Sequence, residues 1–321
     1  MLHRTMRPEI SLRSKRVAAG IALLLLFALP LYLFFFRNST EPAASREQSP
    51  TAGQLSISVD SPLYSIVNSQ AQVFSDHYPD AHLLVKAELS SKTLLRLLQN
   101  ESDAALITGD MIAAEDSLFT RFGRRLRKEP VARDAVICIV NRQNPLAKLS
   151  VGELSRLYAK RESGVMVRQG QERRFSAWIA GNDYRLVMAV RKLFHFEHET
   201  LSAWQSRDSR ELAGRISEDP DAVGLLFLSS FRTLSLNDEA LQKIKVLAIS
   251  SNPDGDRPEL PSQESIYDGS YPLGVIVHYI YFQDNDLAAG FGSWLSREGQ
   301  KSFERSYLAP FRQPPRTIIL N

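Results

Sequence analysis

The chain has 321 residues and, after a short basic segment, runs for 20 residues without a charge, from Val17 to Phe36. As a helix rising about 1.5 Å per residue, this run would be roughly 30 Å long, the thickness of the hydrocarbon core of a bilayer. Pro30 lies inside the run, and lipid-embedded helices tolerate proline better than helices in water do. The run predicts one transmembrane helix and confines the globular fold to the residues that follow it.

The excess positive charge of the chain lies before this run. The sequence contains 39 Lys and Arg and 36 Asp and Glu, a formal net charge of +3. Residues 1–16 carry five of the basic residues and one acid, which leaves 34 basic and 35 acidic residues in the rest. Because cytoplasmic flanks are rich in Lys and Arg, we expect a cytoplasmic N-terminus in a cell inner membrane and an exported body. The balanced body excludes a generally basic nucleic-acid binder.

Cleavage of this segment as a signal peptide is the alternative to an uncleaved signal anchor. Signal peptides usually have a shorter apolar region and a small-residue cleavage site. The run ends in Leu33-Phe34-Phe35-Phe36-Arg37, a poor context for cleavage, whereas residues 42–45 (PAAS) offer a weak one. In both cases the folded body is exported.

Composition divides the chain into four parts. Residues 1–16 form the cytoplasmic basic segment, 17–36 the transmembrane anchor, 37–54 a flexible linker rich in Ser, Pro and Ala, and 55–321 the folded body. Hydrophobic residues make up 44% of the chain and charged residues 23%, which is ordinary for a globular protein.

The single cysteine, Cys138, excludes an intrachain disulfide and a Cys-cluster zinc site, and its place within an apolar strand predicts a core position.

From Leu55 onward, predicted strands and helices alternate. We predict strands at Leu55–Asp60, His82–Glu88, Asp103–Thr108, Ala135–Val140, Phe175–Ala180, Val223–Leu228, Ile244–Ile249 and Gly274–Phe282. We predict helices after Ser61-Pro62 and at Ser91–Gln99, Ser150–Tyr158, Tyr184–Phe196 and Leu287–Ser296. The opening strand–helix succession is typical of a parallel sheet with right-handed crossovers. About 265 residues are many for one sheet, which favours two lobes.

Five segments of the body carry short motifs in a definite order and spacing. Residues 130–145 contain an A-x-D strand and a V-N-x-x-N-P turn, and the helix of residues 149–158 follows them. The C-terminal part, Tyr271-Pro272-Leu273 through Tyr307–Pro310, contains YPL, then S-x-E-G-Q, and ends in P. The other three segments are residues 55–74, 100–111 and 222–229. Together the five segments resemble the phosphate-type periplasmic binding proteins of ABC transporters, and the last three are similar to that family's opening strand and helix, its third strand with the following loop, and a later strand.

The resemblance implies an α/β fold of the bilobal type II periplasmic-binding-protein class, with two mixed sheets and flanking helices. It places lobe one at about 55–137 and 278–321 and lobe two at about 138–277. It also implies a small-molecule ligand, an oxyanion such as phosphate in that family, and a membrane protein such as a transporter as partner. A cleft built from strand-to-helix loops suits an anion physically, because helix N-termini point free N–H groups into it.

The loops that would hold the ligand depart from the family. Ser61 remains in the first loop, but Pro62 has no N–H to donate. The second loop is Thr108-Gly109-Asp110-Met111, and the third is Gly181-Asn182-Asp183-Tyr184-Arg185, which lacks the family's S-G-T. The predicted ligand-binding residues are Ser61, Tyr64, Thr108, Asp110, Asn182, Asp183 and Arg185.

Three acids, Asp60, Asp110 and Asp183, are expected to face the cleft. A phosphate among several carboxylates is unfavourable unless one is protonated or a cation intervenes, and Arg185 would offset one charge. Helix capping by Asp60 and Asp183, ligand contact and metal coordination are the three interpretations of these acids.

The remaining motifs point to no catalytic chemistry. His195 and His198 are one helical turn apart, but no third ligand accompanies them, so surface or packing roles are favoured and no metal or cofactor is predicted. The basic run from Arg121 to Lys128 could meet anionic lipid or another protein, and a solvated loop is the favoured interpretation. We find no nucleophile elbow, phosphate-binding loop, dinucleotide fingerprint or HExxH motif.

The sequence therefore leads to two hypotheses from different classes. The first is a membrane-tethered module that binds a small ligand by closure of its lobes, without catalysis. The second is a degenerate binding-protein fold that acts as a sensor, scaffold or protein-interaction module at the membrane.

Overall fold

The computed structural model of the chain describes residues 49–159, 164–168, 171–196, 201–234, 238–252 and 254–313. None of the helices in these ranges is long and apolar enough to cross a membrane. The helix predicted over residues 17–36 lies outside the described residues and stays a prediction.

Strands and helices alternate along the described residues. The strands are β1 (Gly53–Asp60), β2 (Ala81–Glu88), β3 (Ala104–Thr108), β4 (Leu126–Asn141), β5 (Lys148–Ser150), β6 (Gly164–Arg168), β7 (Gln171–Ala180), β8 (Trp204–Ser206), β9 (Ala222–Phe227), β10 (Ile244–Val246), β11 (Ala248–Ser250), β12 (Gly274–Phe282) and β13 (Ala309–Pro310). The helices are α1 (Tyr64–His77), α2 (Thr93–Leu98), α3 (Ala113–Arg121), α4 (Val151–Ala159), α5 (Tyr184–Leu193), α6 (Ser209–Glu218), α7 (Leu228–Arg232), α8 (Asp238–Gln242), α9 (Gln263–Asp268), α10 (Asp286–Leu295) and α11 (Gln300–Glu304). A short 3-10 turn, Ser61–Leu63, leads into α1.

One long strand links the two parts of the sheet. The strand order is β2-β1-β3-β12-β4-β9-β7-β6. β1 pairs in parallel with β2 and β3, as the opening alternation predicts. β4 pairs antiparallel with β12 from Leu126 to Ala135 and antiparallel with β9 from Val136 to Val140. One large mixed sheet therefore stands where two mixed sheets were predicted, because β4 runs from one part of it into the other and joins them.

Separate apolar cores define two lobes on either side of this strand. The main core of lobe one surrounds β1, β3 and β12 and includes Phe74, Phe291 and Tyr279. The core of lobe two surrounds the second half of β4 with β7 and β9 and includes Tyr158. Along the chain the cores separate between residues 132 and 135 and again between 273 and 277, a few residues before the predicted lobe limits.

Segments with a clear apolar pattern have the predicted secondary structure, whereas short polar segments differ from their prediction. β12 spans Gly274–Phe282 as predicted, and Cys138 is completely buried, also as predicted. The basic run was predicted as a loop, which is wrong from Leu126 onward, because its end pairs with β12 as the first residues of β4. Helices α3 and α6 were not predicted, since each is short and carries only a few large apolar residues.

Candidate functional site

A cleft of about 590 Å³ lies where loops of both lobes meet. Lobe one contributes the carboxyl ends of β1, β2 and β3. Lobe two contributes the loops that precede α5 and α6, and part of α7 with the residues that follow it. This position follows from the topology, because strand ends of an α/β sheet and the N-termini of the next helices converge on one edge.

Four of the seven predicted ligand-binding residues line this cleft, namely Ser61, Thr108, Asn182 and Asp183. Tyr64, Asp110 and Arg185 are not among the residues that line it. The Ser61 hydroxyl donates to the carbonyl oxygen of Glu88 at 2.8 Å, so its donor is already used. Contact between any of these residues and a ligand stays a prediction.

Asp60 ends β1 and binds the neighbouring chain segments of lobe one. Its Oδ1 accepts from the Thr93 hydroxyl at 2.6 Å, and its Oδ2 accepts from the Thr108 backbone N–H at 2.9 Å. The carboxylate makes no bond to the 3-10 turn that follows, so the interpretation of Asp60 as a helix cap is wrong. Burial raises the pKa of Asp60 to about 7, since the two hydrogen bonds offset only part of the lost hydration.

Asp183 caps α5, as one of the three interpretations holds. Its Oδ1 accepts from the Leu186 backbone N–H at 3.2 Å and from the Ser90 hydroxyl at 2.9 Å. The second bond joins lobe one to lobe two across the cleft. Desolvation raises the pKa of this half-buried carboxyl above its ordinary value. The N-terminus of α5, where an anion would be favoured, is therefore occupied by the protein's own carboxylate.

A third acid, Asp134, lies in β4 between the two cores and is fully buried. Its Oδ1 accepts from the backbone N–H groups of Ala135 at 2.8 Å and Ser229 at 3.2 Å, while Oδ2 has no hydrogen-bond partner. Burial and, to a smaller extent, the negative charge of Asp183 raise its pKa to about 6. Asp134 was not among the predicted site residues, although an acid that interrupts an otherwise apolar strand was the available signal.

Arg185 forms a buried ion pair between the lobes, and its charge also lowers the pKa of Asp60 and Asp183, against the larger effect of burial. Its side chain is 1% exposed, and its guanidinium bonds both oxygens of Glu115 in α3, at 2.7 Å and 3.0 Å. Glu115 also accepts from the Ile112 backbone N–H at 2.9 Å, which fixes the start of α3. The bidentate geometry is the strong form of this interaction, and it ties α5 of lobe two to lobe one.

Asp110 lies in a second charged contact between the lobes. Its carboxylate pairs with Lys192 of α5, and the His278 Nε2 lies 2.9 Å from its Oδ1. The hydrogen bond with His278 and the charge of Lys192 hold the pKa of Asp110 well below its usual range. This carboxylate is thus engaged in a contact that leaves it outside the lining of the cleft.

The basic groups of the cleft lie on the loop before α6 and in the first turn of α6, and they were not among the predicted site residues. Arg207 and Arg210 both line the cleft. Arg207 pairs with Asp208 at 3.4 Å, whereas Arg210 is exposed and has no ion-pair partner among the described residues. Asp208 caps α6 by accepting from the Glu211 backbone N–H at 2.8 Å. The spacing of Asp208 and Glu211, typical of a helix start, was the signal for this loop.

Metal coordination of the three acids finds no support in the described part of the chain, which contains no group of three or more His, Cys, Asp or Glu residues placed to hold a metal ion. His195 lies in the left-handed region at the end of α5, with φ of 57°. His198, its predicted neighbour, lies outside the described residues.

The same architecture occurs in known binding proteins. Residues 44–298 match a family model described as a PBP superfamily domain. No curated protein sequence matches the chain.

Three solved structures illustrate the likeness. The first is a protein of Clostridium perfringens with bound phosphate, assigned as the substrate-binding protein of a phosphate ABC transporter. It is 16% identical with a TM-score of 0.62, and the aligned part is 81% of this chain and 100% of that protein. An ABC-type phosphate transport receptor from Vibrio cholerae is 15% identical with a TM-score of 0.60, over 79% and 99% of the two chains. PstS from Borrelia burgdorferi is 14% identical with a TM-score of 0.55, over 81% and 99%. At these identities the likeness shows the fold alone.

Proposed function

We propose that this chain, which belongs to the PBP superfamily, is a solute-binding module. It holds a small polar ligand between its lobes and catalyses no reaction. The observation that carries this proposal is the 590 Å³ cleft, which polar groups of both lobes line. A ligand that contacts both lobes would favour their closed arrangement over the open one. Residues 17–36 would tether the module to the cell inner membrane with the cleft outside the cytoplasm.

The charges of the cleft restrict what the ligand is and where it binds. Thr108 N–H and the N-terminus of α5 already bind Asp60 and Asp183. An oxyanion such as phosphate, the ligand of the Clostridium perfringens structure, would therefore find its free donors at the opposite wall, on Arg210 and the loop before α6. We propose this wall as the anion-binding part of the cleft.

The test is thermal unfolding of the full-length chain in a mild detergent with separate additions of phosphate, sulfate, amino acids and divalent metal ions. A ligand at 100 times its Kd stabilises the folded state by about 2.7 kcal/mol, which appears as a higher Tm. Isothermal titration of the stabilising compound then gives its Kd.

Arg210→Gln is expected to weaken binding of that compound about tenfold if it is an anion, because one charge-assisted hydrogen bond at an exposed site is lost. Arg305→Gln is the matched control, an exposed arginine that does not line the cleft, and it is expected to leave the Kd unchanged. Equal effects of the two substitutions would contradict the proposed anion wall.

A degenerate module that binds no small ligand is the second candidate, and one observation favours it. The donors that face the middle of the cleft are satisfied by the chain's own carboxylates, and Arg185, Lys192 and Ser90 take part in direct bonds between the lobes. If none of these compounds raises the Tm, binding of a small ligand of these classes is excluded. The module would then act as a sensor or scaffold.

A further inference from the structure

The basic run singled out in the sequence contains an exposed phenylalanine and begins three residues after an exposed leucine. Phe122, which directly follows α3, is 65% exposed, and Leu118, one helical turn earlier, is 42% exposed. Leu95 of α2 is 45% exposed and lines the same groove as Leu118. We call these three residues, together with the exposed Arg121, Arg125 and Arg127, the Phe122 patch.

The patch combines apolar surface with positive charge that the protein does not neutralise. Lys128 pairs with Asp116, and Arg124 donates to the Asn100 side chain at 2.8 Å. Arg121, Arg125 and Arg127, by contrast, have no ion-pair partner among the described residues. Three unpaired, exposed arginines within five residues of an exposed phenylalanine are complementary to a surface that presents anionic groups above an apolar layer.

We propose that the Phe122 patch docks on an anionic lipid surface, with the Phe122 ring in the interface and the arginines at the headgroup phosphates. Arginine suits this boundary because it has an apolar stem and a charged end, and the wholly apolar Phe122 ring can enter the acyl layer beneath the headgroups. Basic groups near an anionic leaflet are attracted by its surface potential.

Lipid is the occupant favoured over an acidic protein because of the chain that precedes the patch. The proposed anchor ends at Phe36, and residues 37–48, which extend over at most about 40 Å, lead to the start of β1. Arg127 lies at the same edge of the sheet, because it pairs with Tyr281, which pairs with Ala104 at the start of β3 beside β1. This inference rests on the membrane tether of the proposed function and is independent of any ligand in the cleft. Docking would fix the orientation of the module relative to the bilayer.

The experiment places a nitroxide label at Phe122→Cys in the full chain, since the native Cys138 is completely buried and does not compete for the label. The labelled chain is incorporated into nanodiscs of phosphatidylcholine alone or of phosphatidylcholine with phosphatidylglycerol. We expect the label to be protected from an aqueous relaxation agent only in the anionic nanodiscs. Replacing Arg121, Arg125 and Arg127 by Gln should lower the ratio of docked to free patch about 100-fold, as expected for the loss of three cations near an anionic surface.

Leu260→Cys is the matched control, because Leu260 is 56% exposed but lies next to Glu259 and outside the patch. Its label should stay accessible in both nanodiscs. If the label at residue 122 is equally accessible to the relaxation agent in the two kinds of nanodisc, the proposal is overturned. Protection of the label only after another protein is added would also overturn it. A chain that associates only with anionic nanodiscs would support docking and refute the tether, whereas a chain that associates with neither would refute both.

Discussion

Replacing Arg185 by Met is expected to lower the free energy of unfolding by about 3–5 kcal/mol, the usual cost of removing one partner of a buried ion pair. The Arg185 side chain is 1% exposed and that of Glu115 is 16% exposed, so Glu115 would keep its charge in a poorly hydrated place. The loss also frees α5 of lobe two from α3 of lobe one. Urea unfolding of the full-length chain, followed by tryptophan fluorescence, measures the change.

Two further variants make this prediction specific. The double substitution Arg185→Met with Glu115→Leu is expected to recover most of the lost stability, because no unpaired charge stays buried. Full recovery is not expected, since Glu115 also accepts from the Ile112 N–H at the start of α3. Lys243→Met breaks an exposed pair with Glu239 and should cost less than about 1 kcal/mol. If Arg185→Met costs no more than Lys243→Met, the interlobe pair does not stabilise the fold.

The sequence was sufficient for the elements whose pattern is local. Alternation of apolar and polar residues predicted β1, and a continuous apolar run predicted β12. Asp183 directly before a helical pattern predicted its cap. These features depend on neighbours within a few residues, and a single sequence contains that information.

The bonds that define the cleft depend on residues far apart in the chain, and the sequence alone did not predict them. Asp60 meets Thr93 and Thr108, which are 33 and 48 positions away. Arg185 meets Glu115 at a separation of 70 residues. Which acid an arginine pairs with depends on how the lobes pack. Asp183 and Thr108 line the cleft, whereas the pairing of Arg185 with Glu115 was not predicted.

Asp60→Asn is expected to remove a large part of the pH dependence of stability. The pKa of Asp60 is about 7 in the folded protein and has an ordinary value of 3.8, so the folded state binds the proton more tightly than the unfolded state. Its contribution to stability is therefore complete below about pH 4 and is lost as the pH rises through 7. Asp134, with a folded pKa of about 6, acts in the same direction over a narrower range. We expect the wild-type protein to lose stability between pH 5 and 7.

Asparagine can reproduce the bonds of the protonated acid. Its carbonyl oxygen can accept from the Thr108 N–H, and its amide can donate to the Thr93 hydroxyl oxygen. The Thr93 hydroxyl then donates to the Leu89 carbonyl, which already lies 3.3 Å away. The variant should reduce the slope of unfolding free energy against pH by up to about 1.4 kcal/mol per pH unit, and it should be more stable than the wild type by roughly 2–4 kcal/mol at pH 7.5.

Urea unfolding at several pH values between 5 and 7.5 measures both slopes. Asp110→Asn is the control with the opposite sign, because the pKa of Asp110 lies below its ordinary value and its stabilising effect is lost only as the pH falls below about 4. That variant should be less stable throughout the range without a change in slope. An Asp60→Asn protein that keeps the wild-type slope would show that Asp60 stays ionised in the folded state. The Thr93 and Thr108 hydrogen bonds would then outweigh burial.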